Sequence, residues 1–296
     1  MKIFLSGNTG FLGSKIESYL SSSNEVLTFS SLTSRKIDLS KEGPIIPEVD
    51  LVIHSAGKAH FFSNEKNLEK IMHDTNVIGT VNFLSGISKS QLPKKFVFIS
   101  SVSVYGLSFG LNIDESFPLL ATDPYGKSKI EAENIVKKWC LENDVVCTIL
   151  RLPLVVGPNP KGNLGYMIQG ILRGYYFNIS GGKAKKSMVL ASDVSKFILK
   201  AADIGGTFNL TDCYHPNFNE LSKLIAKQFD KKSIPNMPIF IARILAIVGD
   251  TIGQKFPINS DKLKKIISSL TFDDSKARMS FGWDPTPVLK GFKIYG

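Results

Sequence analysis

The sequence predicts an α/β protein built on a doubly wound parallel sheet, followed by a smaller mixed α/β C-terminal region. Three observations point there. Short, almost unbroken apolar runs recur through the first half, longer helix-like segments separate them, and a glycine-rich turn, SGNTGFLGSKI (6–16), joins the first run to the first such segment. Near-continuous apolar runs suit parallel strands covered by helices on both faces. Their alternation with helical lengths is the βαβ pattern.

Taken in order, KIFLS (2–6), EVLTF (25–29), DLVIHSAG (50–57), KFVFISS (95–101) and VVCTILR (145–151) read as strands. Residues 12–21, 64–90 and 124–142 read as helices between them. After RLPLVVGPNPKGN (151–163) the pattern loses its regularity, glycine and proline become frequent, and GTFNLT (206–211) reads as one more strand. The expected division is a sheet domain over 1–154, completed by a later segment around 189–211, and a second region over 155–296. No repeat or low-complexity tract interrupts it.

Composition narrows the function. With 296 residues, 43% hydrophobic and 21% charged, the chain has the make-up of a soluble globular protein with a substantial core. Cys140, Cys147 and Cys213 follow no metal or redox spacing, so reduced thiols, no metal and a cytoplasmic location are expected. The opening MKIFLSG has too short an apolar run for a signal peptide. PIFIARILAIVG (238–249) is broken by Arg243, is followed by Asp250 and is too short to span a bilayer. A buried or partly buried helix is expected there, with no stable membrane insertion and peripheral contact as the lesser alternative. The net charge of +10 is spread over short pairs such as Lys94-Lys95, Lys137-Lys138 and Lys231-Lys232. Without a long basic run, that excess suits an anionic small ligand better than nucleic acid.

The three glycines are the first functional signal. Gly7, Gly10 and Gly13 follow a strand and open a helix, the setting of a dinucleotide-binding turn. In that role Gly7 permits the tight turn, Gly10 lets a pyrophosphate approach the backbone, and Gly13 lets helix and sheet pack closely. Free N–H groups at the helix start attract the phosphates.

The GxxGxxG spacing resembles the extended short-chain dehydrogenase/reductase superfamily, the NAD(P)-dependent nucleotide-sugar epimerase/dehydratase type, and further landmarks follow in order. They are IDLS with Asp38 and Leu39, HSAG (54–57), NVIGT with Asn76, SSVSVYG, YGKSK, RLPLVVGP and the closing DDSKARMSFGWDP. The resemblance covers nearly the whole chain and implies a Rossmann domain holding NAD or NADP. It places around the cofactor the turn residues Gly7, Asn8, Thr9, Gly10, Phe11, Leu12 and Gly13. It adds Ser30, Arg35, Asp38 and Leu39 beside the adenosine, and His54, Ser55, Ala56 and Gly57 after the third strand. Asn76, Ile99, Ser100, Leu152, Pro153 and Leu154 complete the set with Tyr125 and Lys129. A homodimer through 64–90 and 124–142 is the family habit; intramolecular packing of the same faces is the alternative.

The resemblance makes Ser101, Tyr125 and Lys129 the catalytic group. Tyr125 and Lys129 stand one helical turn apart, so both can face one cleft, where a neighbouring ammonium lowers a phenol from its ordinary value near ~10. Tyr125 then moves a proton, Ser101 orients the substrate oxygen, and the nicotinamide carries hydride. Related dehydratases carry an acidic pair directly after the active-site Ser/Thr; here Val102 and Ser103 stand there, which argues against dehydration. The remaining readings are C4 epimerisation of a UDP-hexose or UDP-N-acetylhexosamine, and reduction of a 4-keto sugar with NADPH. A non-enzymatic dinucleotide sensor is the rival class. No Asp or Glu stands at Ser30 or Ser31 to bind a ribose 2′-hydroxyl, and Arg35 and Lys36 lie close by in sequence, a lean toward NADP. Substrate contacts are expected from His60, Ser101, Val102, Ser103, Asn163 and Lys186. Lys186 stands where relatives carry a diphosphate-binding arginine, and Arg243 is either a second phosphate ligand or a packing residue.

Overall fold

The structure, a computed structural model, describes residues 1–59, 67–160, 162–231, 233–253 and 258–295. Its strands are β1 (Lys2–Ser6), β2 (Glu25–Leu27), β3 (Leu51–His54), β4 (Lys95–Ser101), β5 (Gly110–Ile113) and β6 (Val146–Leu152). They continue with β7 (Leu154–Val156), β8 (Asn178–Ile179), β9 (Met188–Leu190), β10 (Gly206–Asn209), β11 (Asn236–Met237) and β12 (Leu270–Phe272). The main helices are α1 (Phe11–Leu20), α2 (Phe29–Leu32), α3 (Leu68–His73), α4 (Gly79–Ile87), α5 (Pro124–Glu142) and α6 (Gly162–Arg173). After them come α7 (Ala191–Ile204), α8 (Phe218–Gln228), α9 (Ile239–Ile252), α10 (Ser260–Ile267) and α11 (Ser275–Phe281).

Six strands form one parallel sheet in the order β10-β6-β4-β3-β1-β2. The expected α/β class is what the chain adopts. Alternate residues of each strand feed opposite layers. Ile3, Leu5, Ile53, Val97 and Leu150 meet Ile16 and Leu20 of α1 and Val194, Phe197 and Ile198 of α7. Phe4, Val52, Phe96, Phe98 and Ile149 meet Phe83 and Ile87 of α4 and Ala132 and Val136 of α5. Each such side chain contributes roughly 1.5–3 kcal/mol of burial, which is why these strands carry apolar residues on both faces. The second region closes its own core from Leu164, Ile168 and Ile171 of α6, Leu221 and Ile225 of α8, and Met188 and Leu190 of β9.

Several elements depart from their sequence expectation for identifiable reasons. The second strand ends at Leu27, because Thr28 and Ser31 form reciprocal side-chain-to-backbone bonds (3.3 and 2.9 Å) that start α2. The single helix expected over 64–90 is, from residue 68, α3 and α4 joined by a wide π-turn at Asp74–Ile78, closed by the Gly79 N–H on the Asp74 carbonyl. Met188–Leu190 pairs with β7 outside the main sheet, whereas Gly206–Asn209 joins the sheet beside β6.

Two polar networks run through this core. His54 is 1% exposed and bonds Ser6 Oγ at Nδ1 (2.6 Å) and Thr80 Oγ1 at Nε2 (3.1 Å). Thr80 donates its only hydroxyl proton to the Asn76 carbonyl (2.7 Å), so Nε2 carries the proton and Nδ1 accepts from Ser6. Burial, with Lys129 adding repulsion, pushes the imidazole down to about 3, which keeps it neutral. In the second network Glu133 receives Arg151 on both oxygens (3.0 and 2.8 Å) and the Ser100 hydroxyl at 2.6 Å. Arg151 also donates to Tyr105 Oη (3.1 Å), which donates to Asn209 Oδ1 (2.8 Å), joining α5, β4, β6 and β10. Burial alone would raise the Glu133 carboxyl, but the guanidinium outweighs it and holds the group below its ordinary value.

Both networks make predictions. Because unfolded His54 takes up a proton below about 6.5 and folded His54 does so only near 3, stability falls as pH drops through that window. Denaturant melts at pH 7 and pH 5 should differ by about 2 kcal/mol from this group, and His54→Gln should remove that part of the slope. Glu133→Gln strands the Arg151 charge in the core and should destabilise by about 3–5 kcal/mol, read from the same melts, with partial recovery when Arg151 is also replaced by Met.

Candidate active site

The turns after β1, β3 and β4 open at the carboxyl edge of the sheet, where the strand order reverses between β1 and β3. Such switch points are where open α/β sheets receive ligands. The glycine turn is built for close approach. Gly7 has φ +78°, and a Cβ on it would stand 2.5 Å from the Ala56 nitrogen. A Cβ on Gly13 would stand 2.1 Å from the Gly7 carbonyl oxygen. Gly10 and Thr9 lie exposed at the mouth, and the Gly10 N–H closes the turn onto the Gly7 carbonyl at 3.0 Å. Gly10 caps α1 without a side-chain acceptor, and the first turn of α1 carries no acid. Its leading N–H groups therefore remain available to an anion.

Neighbouring segments fix this turn in place. Asn8 Nδ2 reaches Glu17 (3.2 and 3.3 Å) and Ser30 Oγ (3.1 Å), linking the turn to α1 and to α2. Phe11 lies half-buried against Gly157, whose Cβ would stand 3.2 Å from its ring; Leu12 packs at the edge of the core. Ser55 and Ala56 are half-buried and Gly57 is exposed. A Cβ at Gly57 would lie 3.1 Å from Asn76 Oδ1 and 3.5 Å from Lys129 Nζ, so these three converge. Asn76 itself is a clamp: it accepts from the Lys58 N–H (2.8 Å) and donates to the Lys58 carbonyl (3.1 Å) and Ser128 Oγ (2.9 Å).

Tyr125, Ser101 and Lys129 are brought to one corner. Asp123 caps α5 by accepting from the Gly126 N–H at 3.0 Å, with Pro124 in the first turn. Gly126 permits close packing, since a Cβ there would meet Ala121 Cβ at 2.4 Å and the Ser103 carbonyl at 2.8 Å. The Tyr125 phenol thereby comes near Ser101, whose hydroxyl counters part of the effect of burial on the phenol and meets Ser103 Oγ at 3.1 Å. Ser101 Oγ also accepts from the Ser103 N–H (3.1 Å) at the start of a 3-10 turn over Val102–Tyr105. One turn along α5, Lys129 donates to the Ile99 carbonyl (2.8 Å), 4.6 Å above the Phe98 ring. Burial pulls its ammonium down to about 8 against the opposing pull of Glu133.

The structure corrects one sequence expectation and shows how three other named residues are engaged. Lys129 does not depress the Tyr125 phenol: burial raises it above the ordinary value, and the opposing hydrogen bond comes from Ser101. Of the two readings open for His54, a satisfied core or a cofactor-lining histidine, the structure shows both ring nitrogens bonded inside the core. The Ser100 hydroxyl likewise turns inward to Glu133. Arg35, named for its lean toward NADP, holds Glu42 through both terminal nitrogens (2.9 and 2.7 Å). Asp38 is exposed and accepts from the Ser40 N–H and hydroxyl, while Leu39 packs at the edge of the core.

Leu152 is buried, and Pro153 and Leu154 are half-buried where β6 leads into β7. Asn163 is exposed in the first turn of α6. Lys186 is half-buried; burial lowers it to about 8, with repulsion from Lys265 adding to the effect. His60 lies outside the described residues. Sequence reasoning missed Glu133 and Arg151 beneath the site and Thr80 behind it. An acid four residues after Lys129 and an arginine inside an apolar strand were the available signals.

The corner thus offers an uncapped anion cradle, a phenol–hydroxyl pair and a cation. The turn fits a phosphate-bearing dinucleotide, since Gly7 and Gly13 keep its backbone bare of Cβ atoms. Comparison with known proteins agrees. Residues 3–210 match the NAD dependent epimerase/dehydratase family. N-acetyl-alpha-D-glucosaminyl-diphospho-ditrans,octacis-undecaprenol 4-epimerase of Escherichia coli O157:H7 is 30% identical over 75% of this chain and 70% of that protein. UDP-glucose 4-epimerase of Vibrio cholerae is 26% identical over 98% of this chain and 93% of its own. Among solved structures, RMD from Pseudomonas aeruginosa complexed with NADPH superposes with a TM-score of 0.76 at 21% identity, over 98% of this chain and 95% of that one. With the family matched across most of the chain, the protein belongs to the NAD dependent epimerase/dehydratase family and is an enzyme of that NAD(P)-dependent type.

Proposed function

We propose that the enzyme is a 4-epimerase of a nucleotide-activated sugar, a UDP-hexose or UDP-N-acetylhexosamine, serving surface-polysaccharide precursor synthesis. The observation that carries this is the Ser101–Tyr125 pair, set beside Lys129 and across from an uncapped glycine turn. The names of both curated relatives, each a 4-epimerase of an activated sugar, favour C4.

The proposed roles follow from the chain's own groups. The first turn of α1, with Gly7, Gly10 and Gly13, holds the pyrophosphate, and Lys129 exchanges the Ile99 carbonyl for ribose hydroxyls. A bound nicotinamide supplies hydride acceptance and return. Ser101 holds the substrate oxygen by hydrogen bond, and Tyr125 takes the hydroxyl proton as that carbon is oxidised, then returns it on reduction. Burial keeps the resting phenol protonated. A ribose-bound ammonium close to Tyr125 is what would bring it toward the working range. Lys186 stands ready for a diphosphate: it forms no ion pair among the described residues and has Lys265 close by.

A second reading, reduction of a 4-keto sugar with NADPH, draws on the end of β2. Ser30 there is a neutral hydroxyl bonded to Asn8 and Thr28, with no carboxylate to claim a ribose 2′-hydroxyl. Arg35, held by Glu42, is not needed for it.

Incubation with UDP-glucose, UDP-galactose and their N-acetyl forms, and separately with their 4-keto forms plus NADPH, separates the two readings. An epimerase interconverts a C4 pair without added dinucleotide, whereas a reductase consumes one NADPH per 4-keto sugar. Loss of both activities in the purified protein would reject both readings. Tyr125→Phe should lower kcat by about 10²–10⁴-fold while dinucleotide binding, followed by nicotinamide fluorescence, stays unchanged. Full turnover by that variant would remove Tyr125 from the mechanism.

A further inference from the structure

Helix α9 presents an apolar face that the rest of the fold leaves uncovered. Phe240, Ile244 and Ile247 follow at i, i+4 and i+7 and are 59–62% exposed. Ile241, Val248 and Ile252 widen the same stripe. The opposite face, Ala242, Ala246 and Gly249, is the one that packs inward, with Ala242 and Ala246 against Leu263 of α10. An exposed stripe of this kind on a globular protein marks an interaction surface.

The surrounding charge indicates what it meets. α10 packs against α9 and exposes Lys262, Lys264 and Lys265, and Arg243 projects from α9 itself. Of the acids on these two helices, Asp250 is spent on the Ser260 N–H (3.0 Å) and hydroxyl (2.5 Å), and Asp261 lies in the first turn of α10. Four cations thus accompany the apolar stripe against two carboxylates, and the bonds from Ser260 hold Asp250 in its charged form. An apolar helix face accompanied by cations is the composition of a helix that lies in a bilayer interface. Juxtamembrane lysines and arginines add attraction to anionic headgroups. Among the described residues no helix is long and apolar enough to cross a membrane, so the contact is peripheral.

We propose that α9 and α10 form a membrane-docking face that seats this enzyme on an anionic bilayer, with Phe240, Ile244 and Ile247 entering the headgroup region and the α10 lysines meeting the lipid phosphates. This goes beyond the epimerase reading and does not depend on it. Lys265 lies close enough to Lys186 to repel its charge, so the docking face adjoins the lysine to which diphosphate binding was assigned.

Flotation of the full chain with vesicles tests the proposal without reference to turnover. Wild-type protein should float with phosphatidylcholine vesicles containing phosphatidylglycerol and much less with phosphatidylcholine alone. Ile244→Asp combined with Ile247→Asp should lower the bound fraction at least about tenfold, because two exposed side chains lose their apolar transfer energy. Lys262→Glu with Lys264→Glu should weaken binding in low salt. Both variants should keep the wild-type Tm and dinucleotide binding. Failure of the wild type to float with anionic vesicles, or equal flotation of the isoleucine variant, would overturn the proposal. So would a dimer in light scattering that Ile244→Asp converts to monomer, since a second copy would then cover the helix.

Discussion

A buried carboxylate organises the edge of the sheet that carries the candidate site. Glu133 lies at zero side-chain exposure in the middle of α5 and takes both arms of Arg151, which is itself 4% exposed. Two charges so far from water are stable only when every lone pair and N–H is engaged, and here Ser100, Tyr105 and Lys137 complete the set. The geometric result matters more than the energy. α5 is locked to β4 and β6 at a fixed height, and that height decides where Lys129 and Tyr125, one and two turns upstream, emerge beside Ser101. The carboxylate also works through space: its charge opposes the desolvation that would otherwise strip Lys129 of its proton more completely.

On the other flank, placement depends on a neutral chain of hydrogen bonds. The Ala56 N–H leans on Ser6 Oγ (3.4 Å), Ser6 donates to His54, His54 to Thr80, and Thr80 to the Asn76 carbonyl. One direction of donation runs from the loop after β3 to the residue that clamps Lys58 and Ser128. The glycine turn and α5 are thus connected through a histidine whose value lies in staying uncharged.

Much of this was legible in the sequence. The strands over 2–6 and 95–101 and the helix over 124–142 were visible because apolar runs and the Asp123-Pro124 start are local signals. The glycine turn and the Ser101, Tyr125 and Lys129 set were visible because their spacing is a chain property. What stayed hidden depends on partners distant in sequence. His54 could not be told from a cofactor-lining residue without Thr80 opposite it. Nothing in SRK (34–36) says that Arg35 will close on Glu42. Composition suggested that 238–249 would be a buried or partly buried helix, and it is partly buried: Ala242, Ala246 and Gly249 turn inward with Ile239 packed beside them, while Ile241, Ile244 and Ile247 stay out.

The wide turn at Asp74–Ile78 has a consequence for how this chain can vary. Five residues there do the work of one ordinary turn, so α3 and α4 are out of phase by roughly 100°, the angle of one residue. Met72 reaches the interior on one phase and Phe83 on the other, while Asn76, in between, meets Ser128. Removing a single residue there would restore a regular helix and swing one half of it about 100° out of its packing. The surplus residue is therefore fixed by the packing of the helices on both sides of it.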